Sequence, residues 1–182
     1  GKKILGIAHN GNVIWRYFLP VGTSLSGGIP SNGLILLGKD YASLRSNLNN
    51  NPSIIVGDSI NIKNTIDRCL NGIQISFGSN YYYINNSSGS YTTSNAYSNV
   101  SLPSIKISKG SSSGSTNFSI HNYKTSYGYI TINAKVSGNT LTIDSLQQSD
   151  NYGGGDNMIG TELPYDQHYE NPYFTIVSIT AY

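Results

Sequence analysis

The stretch Asp67-Arg68-Cys69-Leu70-Asn71-Gly72-Ile73-Gln74-Ile75-Ser76-Phe77-Gly78 decides the fold of this chain. Its apolar residues at positions 73, 75 and 77 alternate with Gln74 and Ser76, which is the period of a strand with one face in a core. The Asn71-Gly72 pair ahead of it favours a turn, because both residues tolerate positive φ. The stretch therefore predicts a framework strand over residues 72–77, with its polar side chains on the outer surface of a sheet.

The same alternation continues on both sides of this strand. Ile130-Thr131-Ile132 and Leu141-Thr142-Ile143 flank a Gly-containing loop at 137–139, so this part of the chain predicts a hairpin. Nine short strands at this spacing indicate an all-β fold, with an antiparallel β-sandwich or jelly-roll-like head. The candidate strands are residues 53–56, 59–62, 72–77, 81–84, 100–107, 117–121, 129–136, 140–146 and 174–182.

The first sixteen residues have the pattern of a separate small hairpin. Ile4–Ala8 and Val13–Arg16 flank Asn10-Gly11, the strongest short signal for a two-residue type I′ turn. A lone hairpin is only marginally stable in water. We therefore expect its apolar side chains to pack on the following domain or on a partner chain.

One short helix is predicted, over residues 40–48. Asp40 is placed to cap it, and the apolar stripe Tyr41, Leu44 and Leu48 stops at an Asn-rich segment that ends in Pro52. This stop marks a predicted domain boundary. Residues 1–52 are predicted to form an N-terminal hairpin and connector region, and residues 53–182 the β-sandwich head domain.

The composition excludes several classes of function. Charged residues make up 11% of the chain and the net charge is +2, which is too little basic charge for a nucleic-acid surface. No apolar run reaches the about 18 residues of a membrane-spanning helix, so no membrane insertion is predicted. Cys69 is the only cysteine, which excludes an internal disulfide and favours a small buried apolar side chain.

Catalysis has little support in the sequence. His9, His121 and His168 lie far apart, and none stands in a nucleophile, metalloprotease or phosphate-loop motif. We therefore predict that the chain is not an enzyme and uses no cofactor. One enzymatic alternative stays open, a glycan hydrolase that uses two of the C-terminal acids as its carboxylate pair.

Tyrosine is the compositional outlier, with 15 residues. Many can pack on half-buried sheet faces, but others fall in segment 147–171, which with segment 85–99 is predicted to be irregular. In such a loop a tyrosine ring can stack on a sugar or anchor a protein contact, while Asn and Asp bind hydroxyl groups. The candidate saccharide-binding residues are Tyr152, Asp156, Asn157, Tyr165, Asp166, His168 and Tyr169.

The Gly-rich loop from Asp150 to Asp156 raises the question of a metal. Its Asp and Asn oxygens suit calcium, but its spacing departs from the EF-hand pattern of acids at alternate positions and a terminal Glu. A solvated loop without a metal is the prediction, and calcium binding is the alternative.

Several motifs together resemble one family of proteins. Segment Ile4–Arg16 is similar to a hairpin of phage-derived tail and baseplate proteins of Gram-positive bacteria, particularly lactic acid bacteria. The later segments resemble the head modules of their receptor-binding proteins. The resemblance implies a β-sandwich head, oligomers that are commonly trimers, and either binding of host cell-wall saccharide or a structural role beside the binder. The segments that carry it in the head are Ser59–Ile62, Cys69–Ile75, Tyr129–Ile132, Val136–Asn139 and Phe174–Tyr182.

The functional hypothesis is therefore a phage tail or baseplate component located in the virion and acting outside the host cell on attachment. Its expected partners are host cell-wall saccharide, other tail or baseplate proteins and further copies of itself in a homo-oligomer, for which the resemblance makes a trimer plausible. Two non-enzymatic alternatives stay open. One is a purely structural tail protein that contacts other virion proteins, and the other is a bacterial surface adhesin.

Overall fold

The computed structural model describes most strands of the chain and many of the loops that join them. The described backbone covers residues 6–27, 29–31, 33–37, 52–78, 81–85, 90–94, 104–121, 127–150 and 174–182. Side chains are described for residues 9–12, 17–27, 29–31, 33–37, 52–78, 104–117, 131–146 and 175–182.

Nearly all regular structure in the described residues is β. The one short 3-10 helix among them spans Ile66–Arg68. The strands are β1 (Gly6–His9), β2 (Asn12–Arg16), β3 (Leu34–Leu37), β4 (Ser53–Ile55), β5 (Ser59–Asn61), β6 (Gly72–Phe77), β7 (Tyr81–Asn85), β8 (Ser90–Ser94), β9 (Ile105–Ser108), β10 (Ser113–His121), β11 (Tyr127–Ser137), β12 (Thr140–Asp150) and β13 (Phe174–Ala181).

Two sheets build the body of the protein. The first has five strands in the order β4-β3-β13-β6-β9, and the second has four in the order β10-β11-β12-β5. Strands β3 and β4 pair in parallel, and the other described pairs are antiparallel. The hairpins β1–β2 and β7–β8 form two further two-stranded sheets. The predicted all-β class is confirmed.

Strand β6 occupies the residues predicted for the framework strand. It lies between β13 and β9. Ile73, Ile75 and Phe77 are buried, whereas Gln74 and Ser76 are partly exposed on the opposite face. Alternation in the sequence therefore predicted both the strand and the side of it that enters the core.

Buried residues from both sheets form one continuous core. Ile75 and Ile179 come from the first sheet, Ile132 and Leu141 come from the second, and all four are fully buried. A single apolar layer between two sheets is the packing of a β-sandwich. The predicted sandwich character of the fold is thus seen in the described part of the chain.

The segment at residues 22–27 joins the two sheets along one side. The amide of Leu25 donates to the Ile179 carbonyl of the first sheet at 2.8 Å, and the amide of Lys63, just after β5, donates to the Leu25 carbonyl at 3.0 Å. Ser26 strengthens the junction, because its Oγ accepts the Ile179 amide at 2.9 Å. Residues far apart in the chain therefore close the sandwich here.

The N-terminal hairpin has the predicted turn. Asn10 and Gly11 have φ of 50° and 78°, and positive φ at both central residues defines the type I′ turn. The described strands are Gly6–His9 and Asn12–Arg16, paired antiparallel with an irregularity between Ile7 and Ala8.

Two parts of the prediction need correction. Strand β8 lies within segment 85–99, which was expected to be irregular, and it pairs with β7. Its sequence Ser-Tyr-Thr-Thr-Ser has no aliphatic residue, so the apolar pattern did not reveal it. Strand β12 reaches Asp150 because it stays paired with the long β11, so the first residues of segment 147–171 are also strand.

The predicted helix at residues 40–48 lies outside the described residues. The domain division after residue 52 stays a prediction. Strand β3 precedes that position and β4 follows it, yet the two are parallel neighbours in one sheet. Strand β3 was not among the predicted strands. Its Ile35, Leu36 and Leu37 are all buried, and a short continuous apolar run of this kind can form an interior strand. No helix among the described residues has the length and hydropathy needed to span a membrane.

Candidate functional site

The seven predicted saccharide-binding residues all lie outside the described part of the chain, as does most of the Asp150–Asp156 loop. The structure therefore places none of Tyr152, Asp156, Asn157, Tyr165, Asp166, His168 and Tyr169. Their role stays a prediction. The candidate site in the described part of the chain is a groove that the sequence did not reveal.

The groove lies where the terminal strands of the two sheets, β4 and β5, come together. It has a volume of about 530 Å³ and opens to solvent. Its lining is divided between apolar and polar groups. We call it the β4–β5 groove, and it is lined by Gly27, Ile29, Leu34, Ser53, Ile54, Asp58, Ser59, Ile60 and Asn61.

A tight turn between β4 and β5 fixes the polar rim. The Asp58 amide donates to the Ile55 carbonyl at 2.9 Å, and the Ile55 amide donates back to Asp58 Oδ2 at 3.2 Å. Gly57 within the turn has φ of 100°, a value that favours glycine, and its amide donates to the Ile143 carbonyl of β12 at 2.8 Å. The exposed Asp58 carboxylate is therefore held in a defined position.

The wall of the groove is an extension of the core. Ile54 belongs to the buried core, and Ile29, Leu34 and Ile60 are partly buried against it. Gly27 approaches β5 closely, since a Cβ on this residue would lie 2.6 Å from the Asn61 carbonyl oxygen. The groove thus has a packed apolar wall and a polar rim from neighbouring turns and strands.

This arrangement suits a ligand with both an apolar face and hydroxyl groups. Aliphatic side chains can cover the C–H face of a sugar ring, while Asp, Asn and Ser oxygens and amides accept or donate hydrogen bonds to its hydroxyls. A carboxylate acceptor makes the stronger, charge-assisted type of hydrogen bond. Short polyols and saccharides are one ligand class with this combination.

Among the lining residues that the structure describes, the one carboxylate is that of Asp58. Glycoside hydrolysis usually needs two carboxyl groups about 5–9.5 Å apart, so these lining residues fit binding better than hydrolysis. Within the described residues, no group of three or more His, Cys, Asp and Glu side chains could hold a metal ion.

Cys69, predicted to be a buried apolar residue, is fully buried as a free thiol. Its Sγ lies 4.0 Å from the Thr65 carbonyl oxygen. Burial raises the pKa of the thiol, because the thiolate would lose its hydration, and the nearby Lys109 ammonium lowers it by a smaller amount. The Cys69 thiol therefore occupies a packed position in the core.

The raised pKa of Cys69 predicts a loss of stability in alkali. The folded chain holds the thiol proton more tightly than the unfolded chain does. The contribution of the protonated Cys69 thiol to the free energy of unfolding is therefore complete below about pH 8.5, and it is lost as pH rises through the folded pKa. We expect unfolding free energy to fall more between about pH 8 and pH 10 in the native sequence than in Cys69→Ala. Urea unfolding at each pH measures this difference, and equal slopes would contradict it.

Sequence analysis missed the groove because no motif marks it. Its residues come from three separate chain segments, at 27–34, at 53–54 and at 58–61. The one local signal was Gly57-Asp58-Ser59, a turn sequence between two short strands. That signal predicts a turn but not that an apolar groove lies beside it.

Comparisons with known proteins give no match. The chain matches no protein-family model, and no match was found among curated proteins or solved structures.

Proposed function

We propose that the chain is a non-enzymatic binding module that attaches to host cell-wall saccharide as a component of a phage tail or baseplate. The resemblance of its hairpin and head motifs supports the virion role. The observation that carries the binding proposal is the β4–β5 groove, with its apolar wall and the fixed carboxylate of Asp58.

In the proposed mechanism, groove side chains held in fixed positions each make a weak contact with the saccharide. The wall residues Leu34, Ile54 and Ile60 would cover one face of a sugar ring, and Asp58 and Asn61 would bind its hydroxyls. The tyrosines of segment 147–171, which are predicted to bind saccharide, would extend the contact along a polymer. An open groove of this kind binds weakly, and several copies in an oligomer, a trimer by the resemblance, would raise the avidity.

The test is binding of the purified protein to isolated cell walls of Gram-positive bacteria, including lactic acid bacteria. We expect sedimentation with intact walls and loss of binding after the wall saccharides are extracted. The double variant Asp58→Asn with Asn61→Ala should weaken binding at least about tenfold, because Asp58→Asn replaces a charged acceptor by a neutral one and Asn61→Ala removes a hydrogen bond. In the Asp58→Asn variant the side-chain oxygen can still accept the Ile55 amide, so the turn and the fold should stay intact.

A matched control comes from the opposite edge of the second sheet. Asn117 is exposed on β10, the terminal strand farthest from β5 in that sheet. The Asn117→Ala variant should bind walls as the native sequence does. Equal binding by the groove variant and this control would contradict the groove as the site. Absence of wall binding, combined with incorporation into tail tips, would instead support the structural alternative.

The hydrolase alternative has its own readout. Release of reducing sugar from walls, abolished by Asp→Asn changes at Asp150, Asp156 or Asp166, would overturn the proposal that the chain is not an enzyme. We expect no sugar release from any wall preparation.

A further inference from the structure

A second feature, separate from the groove, is a buried patch on the outer face of the first sheet. Ile35 and Leu37 of β3 and Thr175 of β13 are 2%, 0% and 3% exposed. The core between the two sheets includes Leu36 but neither Ile35 nor Leu37. Side chains alternate along a strand, so these two residues point away from the core that Leu36 enters. We call Ile35, Leu37 and Thr175 the outer patch.

The register of β3 identifies the same face independently. Leu34 lies opposite Ile176, and Ile35 lies opposite Thr175. Residues directly opposite each other in an antiparallel pair have their side chains on one face of the sheet. Ile176 is fully buried in the core and Leu34 packs against that core. Ile35 and Thr175 therefore share the face turned away from the second sheet.

Burial on this face requires a segment that covers it. Strands β13 and β4 lie beside β3 in the sheet, and they flank its side chains without covering them, because those side chains stand roughly perpendicular to the sheet. Gly33 approaches the Thr175 side chain closely, which accounts for burial at that end of the outer patch. Leu37 lies four residues farther along β3, so a further segment has to cover it.

The connection from β3 to β4 starts and ends at the right place for this. The two strands are parallel neighbours, and fifteen residues, 38–52, join them. A connection between parallel strands has to cross one face of the sheet, and it usually takes a dozen or more residues. The core face is filled by side chains of the second sheet. The crossing therefore falls on the outer face.

We propose that the outer patch is the docking surface of segment 38–51, which crosses the outer face of the first sheet between β3 and β4. The predicted stripe of Tyr41, Leu44 and Leu48 supplies the apolar side chains that pack on the patch. Burial of apolar surface on both sides is the driving force. Because the segment leads into β4, this packing also holds Ile54 in the wall of the β4–β5 groove. The proposal requires no ligand in that groove.

The experiment is an NMR measurement of nuclear Overhauser contacts in the whole native chain, with labelled Ile and Leu methyl groups and labelled Tyr rings. We expect contacts between the Ile35 or Leu37 methyls and the stripe at positions 41, 44 and 48. If these methyls contact only other segments, such as the β7–β8 hairpin, the outer patch has a different occupant and the proposal is wrong.

Variants on both sides of the contact test its energetic importance. Leu37→Ala and Leu44→Ala should each lower the Tm by about 4 °C or more, because each deletes buried aliphatic atoms. The loss in the double variant should be smaller than the sum of the two single losses, since the two side chains are expected to share one contact. Ser46→Ala, on the opposite side of the predicted helix, is the matched control and should change the Tm by about 2 °C or less.

Additive losses in the double variant, or equal losses from Leu44→Ala and Ser46→Ala, would contradict the proposal. If Leu37→Ala does not fold, the Overhauser contacts of the native chain still decide the question. Failure here is distinct from failure of the saccharide proposal, because neither measurement uses a cell wall. The Asp58→Asn with Asn61→Ala variant should keep the contacts of the outer patch.

Discussion

Replacing Gly72 by alanine is expected to lower the free energy of unfolding by about 3 kcal/mol or more. Gly72 opens strand β6 and has φ of 151°, which is strained for a residue with a side chain. An added Cβ would meet the Ile107 carbonyl oxygen and lie 2.9 Å from Ser108 Cα. Both neighbours are backbone of the adjacent strand β9, so no side-chain rotation relieves the clash. Urea denaturation with a free fit of the m-value measures the loss.

Gly110→Ala is the matched control for Gly72→Ala. Gly110 also has positive φ, 85°, but a Cβ there would meet nothing within 4 Å. Its loss should be about 1–2 kcal/mol, the conformational cost alone. The difference between the two variants therefore reports the close approach of β6 and β9. Losses of equal size would show that this approach has no energetic importance.

The second large effect is expected from Ile75→Ala, at about 2–5 kcal/mol. Ile75 is the middle side chain of a row across three strands, with Ile179 on β13 and Ile105 on β9 as its direct partners. All three are fully buried. Removing its outer carbons leaves a cavity that β-branched neighbours, with few rotamers, fill poorly. Thermal and urea unfolding should both show the loss.

Leu70→Ala deletes side-chain atoms of the same aliphatic type at a position that is 51% exposed. Its effect should be about 0.5 kcal/mol or less, as for most surface changes. Leu70 lies only five residues from Ile75, so the comparison separates burial from local sequence context. A similar loss in both variants would mean that the row through Ile75 is not the centre of the core.

Local sequence patterns were enough to predict several elements of the fold. Alternation predicted β6 and its buried face, because side chains point to opposite sides of a strand with a period of two. Asn10-Gly11 predicted the type I′ turn, because both residues adopt positive φ readily. The lone Cys69 was correctly expected to be buried, since a single thiol beside an apolar strand behaves as a small apolar group. Each of these depends on a few neighbouring residues.

The choice of neighbouring strands, and the groove formed at the sheet edges, became visible only in the folded chain. Strand β3 lies beside β13, although more than a hundred residues separate them in the chain. The pairing of β3 with β4 and of β5 with β12 then brings Leu34, Ile54 and Ile60 to one groove. The physical reason is that alternation specifies which face of a strand is buried, whereas partner choice depends on long-range packing and loop closure that no local pattern encodes.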